Sequence, residues 1–212
     1  MLMILTLVAI GPVFMLLIFS ELLWRLRLLR GEAARKLLHI IIGSYVACWA
    51  FFLPSEHIEL LSVALFVGAA ISHRFKIFHA IIDIKRRSWG DLFYAAGIGI
   101  AALVSNSPWI FAVAILHMSI ADGLAGLVGS SLGKDSGYKV IGQKKSLAGT
   151  AAFFVSSVAI LFAIAPGPMH LTLGWHGLLI PVVATLAENF GVYGSDNITV
   201  PLLLTVWLNA LV

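Results

Sequence analysis

WIFAVAILHMSIADGLAGLVGSSL, residues 109–132, is apolar or small along almost its whole length, and its only charged residue is Asp122. As a helix rising about 1.5 Å per residue it reaches roughly 36 Å, enough to cross a hydrocarbon layer of about 30 Å. An acid in the middle of such a helix costs roughly 3 kcal/mol on insertion scales, so it is expected to face a bundle interior and to serve a site or pathway. Ala125, Gly126, Gly129 and Gly133 follow it at three- and four-residue spacing, a stripe that lets another backbone approach closely. The blander alternative is helix packing, with Asp122 protonated or hydrogen-bonded.

Outward from this stretch the pattern repeats. Apolar runs fall at 1–23, 37–53, 58–71, 92–104, 147–165, 171–187 and 198–212. Hydrophobic residues make up 60% of the 212 positions, charged residues 11%, and mean hydropathy is +1.01. Soluble domains carry about 25% charged residues, and so short a chain cannot bury this much apolar surface in a core. The expectation is an all-α, polytopic transmembrane bundle of eight spans, or seven if one of the shorter third, fourth or seventh runs is re-entrant. No linker or repeat divides it, so residues 1–212 read as one membrane domain. The first run lacks a basic leader and is followed by arginines, and it reads as a retained span rather than a signal peptide. The lone Cys48 excludes an internal disulfide.

Every Lys and Arg lies in 24–36, 73–87 or 134–145, while the connections 54–57, 105–108 and 166–170 hold none. With eight spans these three basic segments share one side. The positive-inside rule makes that side cytoplasmic and puts both termini on the other. This placement also argues against nucleic acid as the partner of a chain with net charge +4. Trp24, Trp89, Trp109 and Trp175 sit near span ends, where interfacial tryptophans belong. Arg74, Lys76, Lys85, Arg86 and Arg87 are expected at anionic headgroups. His117 reads as a hydrogen-bonded packing residue.

The remaining polar residues gather on the basic side. Gly133-Lys134 and Gly142-Gln143-Lys144-Lys145-Ser146-Leu147-Ala148-Gly149 precede a new helix. Helix-start N–H groups attract anions, lysines add charge, and Ser146 can cap the helix or meet phosphate. The spacing is not that of a Walker A loop. Glu188 ends the seventh run and Asp196-Asn197 opens the eighth. Hard carboxylate oxygens beside a phosphate-binding loop suit Mg²⁺ or another divalent cation, and a carboxylate can also serve as base to a hydroxyl. Asp122, Glu188 and Asp196 are the candidates, and these roles stay undivided among them. Arg35-Lys36 and His39 open the second run, where a snorkelling basic anchor is the simplest account.

Taken in order, Arg35-Lys36-x-x-His39, Asp122 with its small residues to Gly133-Lys134, Gly142-x-Lys144-Lys145-Ser146-x-x-Gly149, Glu188, and Asp196-Asn197-x-x-x-Pro201 resemble the CTP-dependent lipid kinases. These include dolichol, phytol and farnesol kinases and the yeast-type diacylglycerol kinase, a group related to phosphatidate cytidylyltransferase. The resemblance covers residues 35–201. It implies transfer of the terminal phosphate of CTP to the hydroxyl of a membrane lipid alcohol with a divalent cation, in a prokaryotic cell membrane, at a cytoplasm-facing site. By position, Arg35, Lys36, Asp122 and Gly129 match residues that family needs for activity, Lys144, Lys145 and Ser146 its nucleotide-side loop, and Asp196-Asn197 its final polar motif. With the carboxylate chemistry above, the expectation is Asp122, Glu188 and Lys145 as catalytic and Asp122, Glu188 and Asp196 as metal ligands. Nucleotide contacts fall on Arg35, Lys36, Gly129, Lys134, Lys144, Lys145, Ser146, Gly149 and Asn197. Two positions depart: Ala148 stands where many members carry Glu, and Ala121 where Gly is common. The cytidylyltransferase branch, the nearest alternative, ends in a charged segment, whereas this chain runs through Pro201 into an apolar span. A small transporter is the alternative from another class, but no internal symmetry supports it.

Overall fold

A computed structural model describes residues 1–82, 88–133 and 135–212, so Lys134, Lys85, Arg86 and Arg87 lie outside the described residues. Each of the eight apolar runs becomes a helix or the larger part of one. In chain order these are α1 (Leu2–Arg25), α2 (Gly31–Val46), α3 (Ser55–Phe75), the short α4 (His79–Ile82), α5 (Gly90–Val104), α6 (Pro108–Leu116) and α7 (Asp122–Leu132). A hairpin of β1 (Gly137–Val140) and β2 (Gln143–Ser146) leads into α8 (Leu147–Ile164), α9 (His176–Phe190) and α10 (Asp196–Asn209). Among the described residues, four stretches are long and apolar enough to cross a membrane: α1, α3, α6 through α7, and α8. The third run lengthens at both ends, taking in Ser55 and Phe75. The second breaks, because α2 stops at Val46 and only a 3₁₀ turn, Trp49–Phe51, follows.

Residues 109–132 form the axis of the bundle. Ser107 accepts a hydrogen bond from the Ile110 N–H at 3.2 Å, and Pro108 supplies a preset first turn. Residues Ile110–Ile115 are buried on every side, as befits a helix apolar all round. α10 packs on α6, while α2 and α8 flank α7. The outer helices show apolar side chains outward instead, among them Leu7, Phe14 and Ile18 of α1, Leu60 and Val67 of α3, and Val155 and Phe162 of α8. A soluble protein hides such surface, whereas in a bilayer it meets its solvent.

Two features depart from regular helix. Between α6 and α7 the chain takes a π-helical turn over His117–Ala121, which widens the helix and re-phases the side chains that follow. His117 is wholly buried there, bonded to the Val113 carbonyl at 2.8 Å and to Ser157 Oγ of α8 at 2.9 Å, the packing role expected of it. The other is the hairpin, a departure from the all-helical expectation. Val140 pairs with Gln143 across a turn at Ile141-Gly142, both with positive φ (47° and 77°). That backbone is a tight turn whose twist matches the strands it joins. Asn-Gly signals it plainly and Ile-Gly does not.

Candidate active site

Six helix ends converge at one end of the bundle: the starts of α2, α5, α8 and α10, and the ends of α7 and α9. Together with the hairpin they line an open cleft of about 850 Å³. Arg35, Lys36, Asp122, Gly129, Lys144, Lys145, Ser146, Gly149, Glu188, Asp196 and Asn197 all line it. Every described residue expected to serve catalysis, metal or nucleotide therefore shares one cavity.

At its centre Asp122, Glu188 and Asp196 bring carboxylate oxygens within 4.8 Å of one another. Asp122 is the first residue after the π turn, Glu188 lies in the last turns of α9, and Asp196 begins α10. Asp122 and Glu188 are buried and Asp196 partly so. Like charges this close repel strongly where water is scarce, so the site needs cations. Two lysines supply them. Lys36 Nζ donates to the Asp122 carboxylate and, at 3.3 Å, to its carbonyl oxygen. Lys145 Nζ donates to the Glu188 carboxylate and, at 2.9 Å, to its carbonyl oxygen. Arg35 is also buried and held by Glu32, with Nη2–Oε1 at 2.6 Å.

This corrects one reading. Lys36 and His39 do not snorkel to an interface: their side chains are 6% and 7% exposed and turn inward onto Asp122. His39 Nε2 donates to the Met118 carbonyl at 2.8 Å and lies 3.3 Å from Asp122 Oδ2, while its ring packs on Tyr94 with centroids 4.2 Å apart. The small-residue stripe explains how Lys36 gets there. A Cβ on Gly126 would sit 2.6 Å from Lys36 Cε, so the missing side chain is the slot for the lysine stem. A Cβ on Gly149 would come within 2.8 Å of the Ala125 carbonyl, so Gly129 and Gly149 seat α7 directly on α8.

Ser146 caps α8, accepting from the Gly149 N–H at 3.1 Å. Pairing in β2 alternates its side chains, so Lys145 turns inward to Glu188 while Lys144 stays exposed at the cleft. Asn197 Nδ2 donates to the carbonyls of Gly90 at 3.2 Å and Gly194 at 3.1 Å. Its Oδ1 is buried and has no hydrogen-bond partner among the described residues. A buried acceptor left open at a cleft wall is an unusual arrangement and fits a ligand donor.

Sequence reasoning missed a supporting layer. Tyr138 Oη bonds Thr150 Oγ1 and Asn189 Oδ1, and Asn189 Nδ2 bonds the Thr185 carbonyl at 3.0 Å. The hairpin is thereby fastened to α8 and α9 one residue from Glu188. Glu32 was legible, since it lies three residues before Arg35 on one helix face. The hairpin network was not, because its members are far apart in sequence and ordinary in type.

No protein-family model matches the chain, and no solved structure does. Curated proteins do. A phytol kinase of Synechocystis is 33% identical over 193 residues, covering 86% of this chain and 81% of that protein. A Glycine max protein called probable phytol kinase 3, chloroplastic, is 31% identical, covering 79% of this chain and 59% of its own length. Phytol kinase 1, chloroplastic, of Arabidopsis thaliana is 26% identical over 93% of this chain and 72% of that protein. Likeness of this extent to the cyanobacterial enzyme, in a membrane protein whose acids and lysines meet in one cleft, means that the chain belongs to the lipid kinase family containing the phytol kinases and is a phosphotransferase acting on an alcohol.

Proposed function

We propose that the protein moves the terminal phosphate of CTP to the hydroxyl of a single-chain isoprenoid alcohol such as phytol, at a cleft facing the cytoplasm. The three-carboxylate cluster within 4.8 Å, ringed by Arg35, Lys36 and Lys145, is the observation that carries this reading. The donor set suits Mg²⁺, which takes one or two carboxylates plus phosphate oxygens and water. Charge points the same way. The described lining holds five basic residues (Arg30, Arg35, Lys36, Lys144, Lys145) and four acids (Glu32, Asp122, Glu188, Asp196), a net of one positive charge. A triphosphate of about four negative charges is poorly matched by that alone and better matched once a divalent ion joins the acids. Such an ion, when bound, supplies charge neutralisation at the phosphates.

The chain's own groups do the rest. Lys36 and Lys145 sit on Asp122 and Glu188 and exchange these partners for phosphate oxygens as nucleotide enters. Arg35 and Lys144 contact the outer phosphates, and the start of α8 turns its positive dipole end toward them. A bond forms between the acceptor oxygen and the γ-phosphorus, and the bond to the β–γ bridging oxygen breaks. CDP leaves, and the hydroxyl proton passes to Asp122 or Glu188 and on to water. Phosphoryl transfer asks mainly for positioning and electrostatic stabilisation, which this ring of charges provides. CTP enters by resemblance. The topology proposed with this function has eight crossings and both termini outside. It is supported by helix starts and ends that alternate at the cleft.

The decisive experiment presents purified protein with CTP labelled at either the α- or the γ-phosphate, together with phytol, dolichol or diacylglycerol. Label reaching lipid only from the γ position is expected. Entry from the α position would mean cytidylyl transfer instead.

A further inference from the structure

Beside the cleft, a second recess of about 160 Å³ lies among α1, α2, α3 and α5. Phe14, Leu17, Ile42, Leu65 and Gly68 make its apolar length, and Arg35, His39 and Asp91 its polar end. Three observations bear on its use. Arg35 lines this recess and the cleft alike, and His39, which also lines it, is 3.3 Å from Asp122 Oδ2, so the two cavities share a wall. Polarity falls along α2 from Arg35 to Ile42, about 10 Å further along the helix. The outer walls are lipid-facing: Phe14 is 49% exposed, and Ala64 and Gly68 are exposed as well. A Cβ on Gly68 would meet nothing within 4 Å, so the space beside it is open.

We infer that this groove seats the first part of the acceptor's apolar chain, with the hydroxyl end at Arg35 and His39, beside the acid cluster. The inference rests on the lipid kinase reading of the cleft. A recess well under the ~300 Å³ of sites that enclose a small ligand takes one chain and leaves its remainder in the bilayer. It therefore favours a single-chain alcohol over diacylglycerol, whose two tails do not fit side by side. The headgroup enters a charged site while the tail never leaves an apolar medium, which keeps the desolvation cost low.

Gly68 gives a clean test, because a larger side chain there fills the groove without striking the fold and removes a helix-interior glycine. In purified Gly68→Leu protein, KM for phytol is expected to rise about tenfold. Turnover of prenol, a five-carbon alcohol that reaches only part of the way along the roughly 10 Å groove, should change by less than about twofold. Gly11→Leu, at an equally open glycine of α1 outside the groove, should leave both alcohols as they were. Equal losses on both alcohols, or no change with phytol, would overturn the proposal. A second readout is independent of turnover: a photoactivatable diazirine analogue of phytol should crosslink to Phe14, Leu17 or Leu65. Crosslinks confined to α8 and α9 would overturn the groove, whereas crosslinks in the groove without phosphorylation by any nucleotide would keep it and sink the kinase reading instead.

Discussion

Lys36 and Asp122 form a buried pair drawn from residues 86 apart in sequence, and each member is silent about the other until the helices pack. Asp122→Asn keeps the shape and removes the charge. Turnover is expected to fall at least ~100-fold while the protein still inserts and purifies, measured as γ-phosphate transfer to lipid. Lys36→Met leaves a carboxylate buried without its cation, which costs about 3 kcal/mol, measured as a lower unfolding midpoint in detergent. Restoring neutrality in the double variant Lys36→Met/Asp122→Asn should recover most of that stability and none of the activity. A double variant as unstable as Lys36→Met alone would show that the pair is not what the lysine supports. Asp122 was legible in sequence because an acid in an apolar run needs a reason. His39 was not, because a histidine beside basic residues reads equally well as an interfacial one.

The elements differ in how openly they announce themselves. α6 and α8 carry serine caps immediately before apolar runs, and both begin where Ser107 and Ser146 place them. The hairpin hides behind Ile141, exposed and held at positive φ, a conformation that costs a β-branched residue about 1–2 kcal/mol. Ile141→Asn should therefore raise the midpoint of heat inactivation by about 2–4 °C without altering catalysis. A fall in that midpoint would mean that the isoleucine makes contacts worth more than its strain. The π turn was equally hidden, since His117–Ala121 is apolar enough to continue an ordinary helix. At this turn His117 bonds the Val113 carbonyl four residues back and Ser157 of α8, and only the second of these partners is distant in sequence.

Across the whole molecule, the apolar runs located the helices because hydrocarbon demands long apolar segments, while their ends shifted wherever flanking polar residues continued a helix. What the runs could not show is which helix ends meet, since that depends on packing between distant segments. Because the acids come from three helices, ligand binding should brace the entire bundle. Mg²⁺ with a non-hydrolysable CTP analogue at a hundred times its Kd is expected to add about 2.7 kcal/mol of stability, read as a thermal shift in detergent. Asp196→Asn should erase the Mg²⁺-dependent part, and an undiminished shift would remove Asp196 from the cation site.

Two of the three acids arrive with α9 and α10, after both lysines have already been synthesised. A nascent chain emerging from the ribosome thus carries its cations long before their counter-charges, and its three-carboxylate cluster is completed only when α10 docks.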